Sequence, residues 1–147
     1  MVKIMTASNR HISNLLEMMR KFNELDSYPF NKKITSENLK KFLANPDLGR
    51  IWLIEKEKTI IGYLILTFCF SFEYKGTYAY IDEIYLEKEF QNQGIGTQAM
   101  KFAMREAKKL NIKMLYLEVE PHNKPAKSLY KKLGFRENKR SLMMRKP

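Results

Sequence analysis

The sequence predicts an α/β (α+β) fold, with a single mixed and mostly antiparallel β-sheet flanked by about four helices. Two patterns indicate this class. In the middle of the chain, apolar segments follow one another across short polar turns, and strands connected in this way pair as an antiparallel meander. In the C-terminal half, helix-like and strand-like segments alternate, which implies a parallel pair beside the meander. The chain has 147 residues, 44% of them hydrophobic, so we expect one domain over residues 1–147.

The N-terminal third contains one short strand and two helices. Residues 3–7 can form the strand. From Asn9 onward, apolar side chains recur at helical spacing and predict an amphipathic helix. A second, shorter helix is expected over 36–44, with Thr35 or Ser36 as its N-cap.

The middle of the chain predicts three antiparallel strands. Residues 51–55 and 59–72 flank the polar turn at 56–58, which is typical of a β-hairpin. The turn at 73–77 leads to a third strand over 78–87. Short connections leave no room for a crossover, so these strands must be antiparallel neighbours.

The C-terminal part predicts two helices alternating with strands. It contains a helix that begins near Ile95, a strand over 113–119, a helix that Asn123 opens and Gly134 ends, and one last strand or hairpin over 135–146. The predicted order is therefore β α α β β β α β α β.

Charge and composition exclude several function classes. The net charge is +11, divided as +4 in residues 1–50, −3 in 51–100 and +10 in 101–147. The basic C-terminal third would attract phosphates, but it lacks the interleaved aromatics or recognition-helix pattern of a nucleic-acid-binding protein. The longest uncharged run, 59–72, is shorter than the ~20 residues that cross a bilayer. We therefore expect a cytoplasmic protein without membrane association, and the two distant histidines, His11 and His122, predict no metal site.

The segment QNQGIGT, residues 91–97, lies between the third strand of the meander and the helix that follows. Two glycines at a helix start allow a phosphate to approach unpaired N–H groups at the positive end of the helix dipole. The spacing also fits a dinucleotide motif, with Glu118 as the ribose-binding acid. However, seven residues, 87–93, separate the strand from the first glycine, and too little chain remains for a doubly wound sheet. A phosphate cradle on a longer loop is the remaining interpretation.

Two blocks of sequence resemble one family. Residues 91–96 resemble the Q/R-x-x-G-x-G/A pyrophosphate loop of the GNAT superfamily of acetyl-CoA-dependent N-acetyltransferases, and residues 117–135 resemble its downstream segment with Asn, Tyr and a final Gly-Phe. This resemblance implies the GNAT-like acyl-CoA N-acyltransferase fold and acetyl-CoA as co-substrate. It also implies cofactor contacts at Ile84, Tyr85, Leu86, Gln91, Asn92, Gln93, Gly94, Ile95, Gly96, Thr97, Asn123 and Lys127.

The resemblance implies that Tyr130 is the general acid. A phenol of ordinary pKa about 10 can protonate a thiolate whose conjugate acid is near 8.5, and a pocket that lowers the phenol pKa would ease the transfer. The alternative is that Tyr130 only packs in the core. Asn123 can cap its helix as well as contact the cofactor arm, and Lys127 belongs to a basic edge that could meet the ribose phosphate.

Glu83 is the leading candidate for the general base, acting directly or through a water. The alternative is an ordinary solvated strand residue. Strict strand alternation places Ile81, Glu83 and Tyr85 on one face and Asp82, Ile84 and Leu86 on the other.

The expected reaction is direct attack of a primary amine on acetyl-CoA. The acceptor is a small-molecule amine or a protein amino group, and Glu73 and Tyr74 are candidates to hold it. A homodimer is compatible with the sequence. The alternatives are a non-catalytic sensor that binds acetyl-CoA and a basic module that binds nucleic acid.

Overall fold

The computed structural model describes residues 1–147, and its five strands form one sheet in chain order. The strands are β1 (Val2–Thr6), β2 (Gly49–Lys56), β3 (Thr59–Ser71), β4 (Gly76–Leu86) and β5 (Leu115–Leu117). The helices are α1 (Ile12–Leu25), α2 (Lys32–Ala44), α3 (Ile95–Lys109) and α4 (Lys124–Lys132). Neighbouring strands from β1 to β4 are antiparallel, and β5 is parallel to β4. The predicted mixed, mostly antiparallel sheet with four helices is confirmed.

The sheet separates two hydrophobic cores, because successive residues of a strand point to opposite faces. On one face, Leu53 and Tyr63 pack with buried residues of α1 and α2. On the other face, Trp52 and Leu64 pack with buried residues of α3 and with half-buried residues of α4. We call these the α1/α2 face and the α3/α4 face. None of the helices has the length and apolar character of a membrane span.

Helix α2 begins four residues before its predicted start. The side-chain oxygen of Asn31 accepts a hydrogen bond from the Ile34 N–H at 3.0 Å, and Asn is among the best N-cap residues. Thr35 and Ser36 are therefore inside the helix, and the prediction that one of them caps it is wrong. At α4 the prediction is confirmed, since Asn123 accepts from the Ala126 N–H at 3.2 Å.

Strand β4 contains a β-bulge that the alternation argument missed. Glu83 pairs with Ile65 while Ile81 pairs with Leu66, so Asp82 is an extra residue without a partner on β3. The bulge changes which side chains share a face. Ile81 packs in the core of the α3/α4 face, and Glu83 and Tyr85 belong to the α1/α2 face. The prediction that Ile81 shares a face with Glu83 and Tyr85 is wrong.

The last strand predicted over 135–146 is absent. Strand β5 pairs over only three residues, which offers a short edge for a further strand. The tail is rich in charged residues, and Leu142, Met143 and Met144 are exposed instead of covering a core. The tail does contact the sheet through Arg140, whose guanidinium binds both carboxylate oxygens of Glu73 at 2.9 and 3.1 Å.

Candidate active site

The central feature of the site is a gap between β4 and β5. Their pairing ends at Ile81 and Leu117, whereas β4 continues to Leu86 and stays paired with β3 over that length. On its β5 side, the backbone of residues 82–86 therefore has no strand partner. Backbone N–H and C=O groups in such a position need acceptors and donors, and an extended ligand can supply them as an added strand would. Ile84, Tyr85 and Leu86, the residues predicted to bind the cofactor arm, line this edge.

The glycine loop lies at the N-terminus of α3. Gly94 is the N-cap residue, with φ of +77°, a left-handed conformation that favours glycine. A Cβ at Gly94 would meet no atom within 4 Å, and one at Gly96 would meet only Leu129 and Leu86, both at 3.9 Å. Neither glycine is therefore required by protein packing, and the space beside each is free for a ligand.

The first turn of α3 suits an anion. The N–H groups of Ile95, Gly96 and Thr97 lie in the first turn and have no hydrogen-bond acceptor within the helix. No side chain caps the helix, and its first turn carries no acidic residue. Such a helix start carries a partial positive charge and binds phosphate groups. A pyrophosphate therefore fits the residues that the resemblance assigned to it.

The loop side chains stabilise the loop itself. The Gln91 amide donates to the Leu86 carbonyl at 3.0 Å, and the Gln93 amide donates to the Glu89 carbonyl at 2.8 Å. Asn92 has φ of +59°, which a polar residue tolerates in a tight turn. These contacts fold the loop back onto the end of β4, so any contribution of these residues to a ligand would come mainly from the backbone.

Tyr130 lies in the α3/α4 face core together with Ile84, Leu86 and Leu133. Its ring makes an edge contact with Phe135 at a centroid distance of 6.0 Å. Burial raises its pKa, opposite to the lowering that would have eased proton donation. The phenol is therefore held in its protonated form. On the same helix Lys127 contacts Glu137 at 3.2 Å, a partly exposed ion pair of small energetic value.

Glu83 is half-buried on the α1/α2 face. The Tyr63 hydroxyl, which is fully buried, donates to Glu83 Oε1 at 2.8 Å. Burial raises the Glu83 pKa, the Tyr63 hydrogen bond lowers it, and the negative charge of Asp82 raises it further, with a net increase. Glu83 is therefore less solvated than an ordinary exposed strand residue. Tyr63 was missed in the sequence because it lies twenty residues away and only the strand register brings it to Glu83.

Glu73 and Tyr74 lie in the turn between β3 and β4. Glu73 is bound by Arg140, and the Tyr74 hydroxyl contacts the Tyr116 hydroxyl on β5. Sequence reasoning also missed that Tyr116 joins Tyr74, Tyr78 and Tyr80 in one aromatic group.

Comparisons with known proteins agree with this geometry. The model of the acetyltransferase (GNAT) family matches residues 15–135, which include the meander, the glycine loop and α4. The chain belongs to this family. A thialysine N-epsilon-acetyltransferase from Bos taurus is 30% identical over 142 residues, covering 90% of this chain and 83% of the relative. An N-alpha-acetyltransferase from Sulfurisphaera tokodaii is 29% identical and covers 78% of this chain and 68% of the relative.

Solved structures extend the agreement to the fold. A structure described as a predicted acetyltransferase from Clostridium acetobutylicum, solved with acetyl-CoA, has a TM-score of 0.83 and 25% identity over 99% of this chain and 96% of that chain. An integron cassette protein from a salt-marsh metagenome has a TM-score of 0.88 and 26% identity, with 97% and 89% coverage. The prediction of an acetyl-CoA-dependent N-acetyltransferase is confirmed at the level of enzyme class, and this GNAT chain has a loop that suits the co-substrate.

Proposed function

We propose that this GNAT protein acetylates a terminal primary amine by direct attack, with Glu83 as the base and Tyr130 as the acid. The observation that carries the proposal is the free edge of β4 at residues 82–86. Glu83 projects from this segment to the α1/α2 face, while Ile84 and Leu86 of the segment and Tyr130 of α4 all pack against the core of the α3/α4 face. A reaction centre at the gap would therefore have a proton acceptor on one face and a proton donor on the other.

Acetyl-CoA supplies an acetyl thioester, from which the acetyl group passes to the amine nitrogen as the carbon–sulfur bond breaks. The chain holds its diphosphate at the start of α3, through the N–H groups around Gly94 and Gly96. Backbone groups of Ile84 and Tyr85, and the N–H of Leu86, on the edge of β4 that β5 leaves free, orient the extended arm. An N–H of this edge would stabilise negative charge on the acetyl carbonyl oxygen.

Glu83 takes the proton that the amine nitrogen must lose. Its raised pKa makes it a stronger base than an exposed carboxylate, and general bases are most efficient when their pKa approaches the working pH. The Tyr63 hydroxyl donates to Oε1 of Glu83, so Oε2 of Glu83 is free to accept the proton from the amine or from an intervening water. Tyr63 thereby fixes the direction in which Glu83 accepts its proton.

Tyr130 keeps its proton at neutral pH because burial raises its pKa. The leaving thiolate lies in the same desolvated surroundings, so the pKa of the corresponding thiol is raised as well. The higher thiol pKa restores the driving force for proton transfer from the phenol to the sulfur. The products are then a neutral amide and a neutral thiol.

The acceptor is proposed to be a terminal amine on a short aliphatic chain. Support comes from the relative in Bos taurus, whose name gives thialysine as its substrate. Thialysine and lysine are therefore the first acceptors to assay.

The test is thiol release from acetyl-CoA with these amines, together with the rise in Tm that acetyl-CoA binding produces by mass action. Glu83→Gln and Tyr130→Phe should each lower kcat by about a hundredfold or more, with the rise in Tm retained. Glu57→Gln and Tyr28→Phe, at exposed positions outside β4, β5 and α4, are the matched controls and should keep kcat.

Three results would change the proposal. Unchanged turnover in Glu83→Gln or in Tyr130→Phe would remove that residue from its role. A Tm rise without thiol release from any amine would make the protein a sensor of acetyl-CoA. No Tm rise at saturating acetyl-CoA would remove the cofactor site itself.

A further inference from the structure

Four tyrosines form one aromatic group beside the gap between β4 and β5. Tyr116 is at its centre, with ring centroids 5.4 Å from Tyr80, 5.6 Å from Tyr78 and 6.2 Å from Tyr74. We call these four residues the tyrosine cluster. All four are half-buried, and none belongs to either of the two hydrophobic cores. The cluster therefore lies outside the core that α1 and α2 cover.

The cluster is on the same face of the sheet as Glu83. On β4, Tyr78 pairs with Cys69, Tyr80 with Thr67 and Glu83 with Ile65, which are alternate residues of β3 and so share one face. Tyr116 is the β5 partner of Tyr80. Because Asp82 is the bulged residue, Glu83 follows Tyr80 directly on that face, at about 7 to 10 Å along the strand.

Two acidic residues, Asp82 and Glu118, lie at the gap end of the cluster in a protein whose net charge is +11. Asp82 and Glu118 directly follow Ile81 and Leu117, the last paired residues of β4 and β5, so both carboxylates lie at the edge of the gap. Partial burial and the negative charge of Glu118 raise the pKa of Asp82. Hydrogen bonding to Tyr74 and burial raise the pKa of Tyr116 to about 12, so the ring remains a neutral phenol at physiological pH. Neutral rings bordered by carboxylates attract cations through their faces.

The protein already places one of its own cations at the border of the cluster. The Arg140 guanidinium binds Glu73, the residue before Tyr74. The interaction with Glu73 raises the pKa of Arg140, and Tyr74 and Tyr116 raise it further. This contact supports a preference for positive charge at this surface.

We propose that the tyrosine cluster, with Asp82 and Glu118 at its edge, binds a second positive charge on the acceptor while the reacting amine lies at Glu83. The acceptor is then a compound with two cationic ends, such as an aliphatic diamine or an amine whose far end carries an ammonium group. This inference rests on the proposed acetyl transfer, because Glu83 sets where the reacting nitrogen lies.

The test compares three amines of one chain length that differ only in the far end: putrescine, butylamine and γ-aminobutyrate. Binding is measured by calorimetry in the presence of coenzyme A, and kcat/KM is measured by thiol release. The cluster should favour putrescine over butylamine by about tenfold in Kd, with γ-aminobutyrate weakest. Equal Kd values for putrescine and butylamine would overturn the inference.

Variants locate the preference in the cluster. Tyr80→Leu removes a ring face and should bring the two Kd values close together, whereas Tyr80→Phe keeps the face and should retain the preference. Tyr28→Leu, at an exposed tyrosine outside the cluster, is the matched control and should also retain it. Should Tyr80→Leu fail to fold, Glu118→Gln, at an exposed position, provides the second test and should weaken putrescine alone. A preference that survives both Tyr80→Leu and Glu118→Gln would place the cation elsewhere.

The calorimetric readout separates the two proposals. Absence of thiol release with every amine would end the proposed acetyl transfer, while the Kd ratio would still decide whether the cluster binds a cation. Conversely, thiol release at equal kcat/KM for putrescine and butylamine, with equal Kd values, would leave acetyl transfer in place and reject the cationic site.

Discussion

The two faces of β4 offer different kinds of chemical groups to the ligands proposed for them. On the α3/α4 face, the candidate cofactor site consists of backbone groups, namely the N–H groups at the start of α3 and the unpaired edge of residues 82–86. On the α1/α2 face, the candidate acceptor site consists of side chains, with Glu83 bound by Tyr63 and the tyrosine cluster beside it. One face therefore depends on chain conformation and the other on residue identity.

This difference offers an explanation of how proteins with one fold can bind the same cofactor and yet acetylate different acceptors. A backbone site tolerates many side chains provided that the conformation of the loop is kept. A side-chain site changes with each substitution. The relatives fit this division, because their names include both a thialysine N-epsilon-acetyltransferase and an N-alpha-acetyltransferase at similar identity to this chain.

The largest expected effect comes from changing the conformation of the glycine loop. Gly94→Val places a branched side chain at φ of +77° and fills the free space beside the first turn of α3. Loss of two backbone hydrogen bonds to a charged group would weaken acetyl-CoA binding by about a hundredfold or more. Calorimetric titration with acetyl-CoA measures this change.

Gly134→Val is the matched control for Gly94→Val. Gly134 also has a left-handed φ, +93°, and open space around its Cβ position, but it ends α4 instead of opening α3. Both variants should lose similar stability, and only Gly94→Val should lose binding. Equal loss of binding in the two would show that backbone strain, not the cradle, controls affinity.

The same division decides what could be predicted from the sequence. The meander, the glycine loop and the Asn123 cap follow from local patterns, and all three are found in the structure. The contact between Tyr63 and Glu83 depends on the pairing of β3 with β4, and the bulge at Asp82 shifts that pairing by one residue. A period-two argument applied to β4 alone therefore could not assign its faces.

Strand formation near the C-terminus was over-predicted for a related reason. A strand is stable only where a neighbour offers a matching edge, and β5 is three residues long. The apolar residues of the tail form a strand-like pattern, but the sequence of the tail does not show how long the neighbouring strand β5 is. Similarly, Asn31 was missed as a cap because the apolar spacing that predicted α2 starts one turn later.

An intermediate effect is expected on the acceptor face when Tyr63 is changed to Phe. The hydrogen bond from Tyr63 lowers the Glu83 pKa, so removing it leaves that pKa even higher. The base must be ionised, and therefore the acidic limb of the kcat/KM profile should move to higher pH. For a shift of about one pKa unit, we expect about a tenfold loss of kcat/KM at pH values on the acidic limb, with recovery as the pH rises above it.

Tyr85→Phe is the comparison variant for this profile. Tyr85 stacks on Tyr63 at 5.8 Å, but its hydroxyl donates to Glu87 at 3.1 Å. Its removal should leave the acidic limb where it is in the wild type. A limb that moves equally in both variants would assign the effect to general loosening of the α1/α2 face.

Gly96→Ala, on the cofactor face, should have two smaller effects: it should stabilise the protein and weaken acetyl-CoA binding. The position is helical, and the added Cβ would make only ordinary contacts at 3.9 Å with Leu86 and Leu129. Alanine should therefore stabilise the protein, by up to about 1 kcal/mol. The same methyl group occupies space next to the diphosphate, so the Kd for acetyl-CoA should rise a few-fold. A higher Tm with unchanged Kd would show that the ligand does not approach Gly96.

The smallest expected effect is on stability, and it follows from the sign of the Glu83 pKa shift. Burial raises this pKa above that of the unfolded chain, so the folded state binds the proton more tightly. The contribution of Glu83 to stability is therefore fully present below the unfolded pKa and is lost as the pH rises through the folded pKa. Glu83→Gln keeps an acceptor for Tyr63 without the buried charge, so its Tm should exceed that of the wild type at neutral pH. The difference should shrink as the pH falls through the raised folded pKa of Glu83 toward the ordinary pKa of a carboxyl group, where the wild-type side chain is neutral in both states. Thermal melts of both proteins across that range measure the difference, and a gap that widens toward acid pH would mean that ionised Glu83 stabilises the fold. A base retained at some expense to stability is expected where residue identity matters, which is the acceptor face and not the cofactor face.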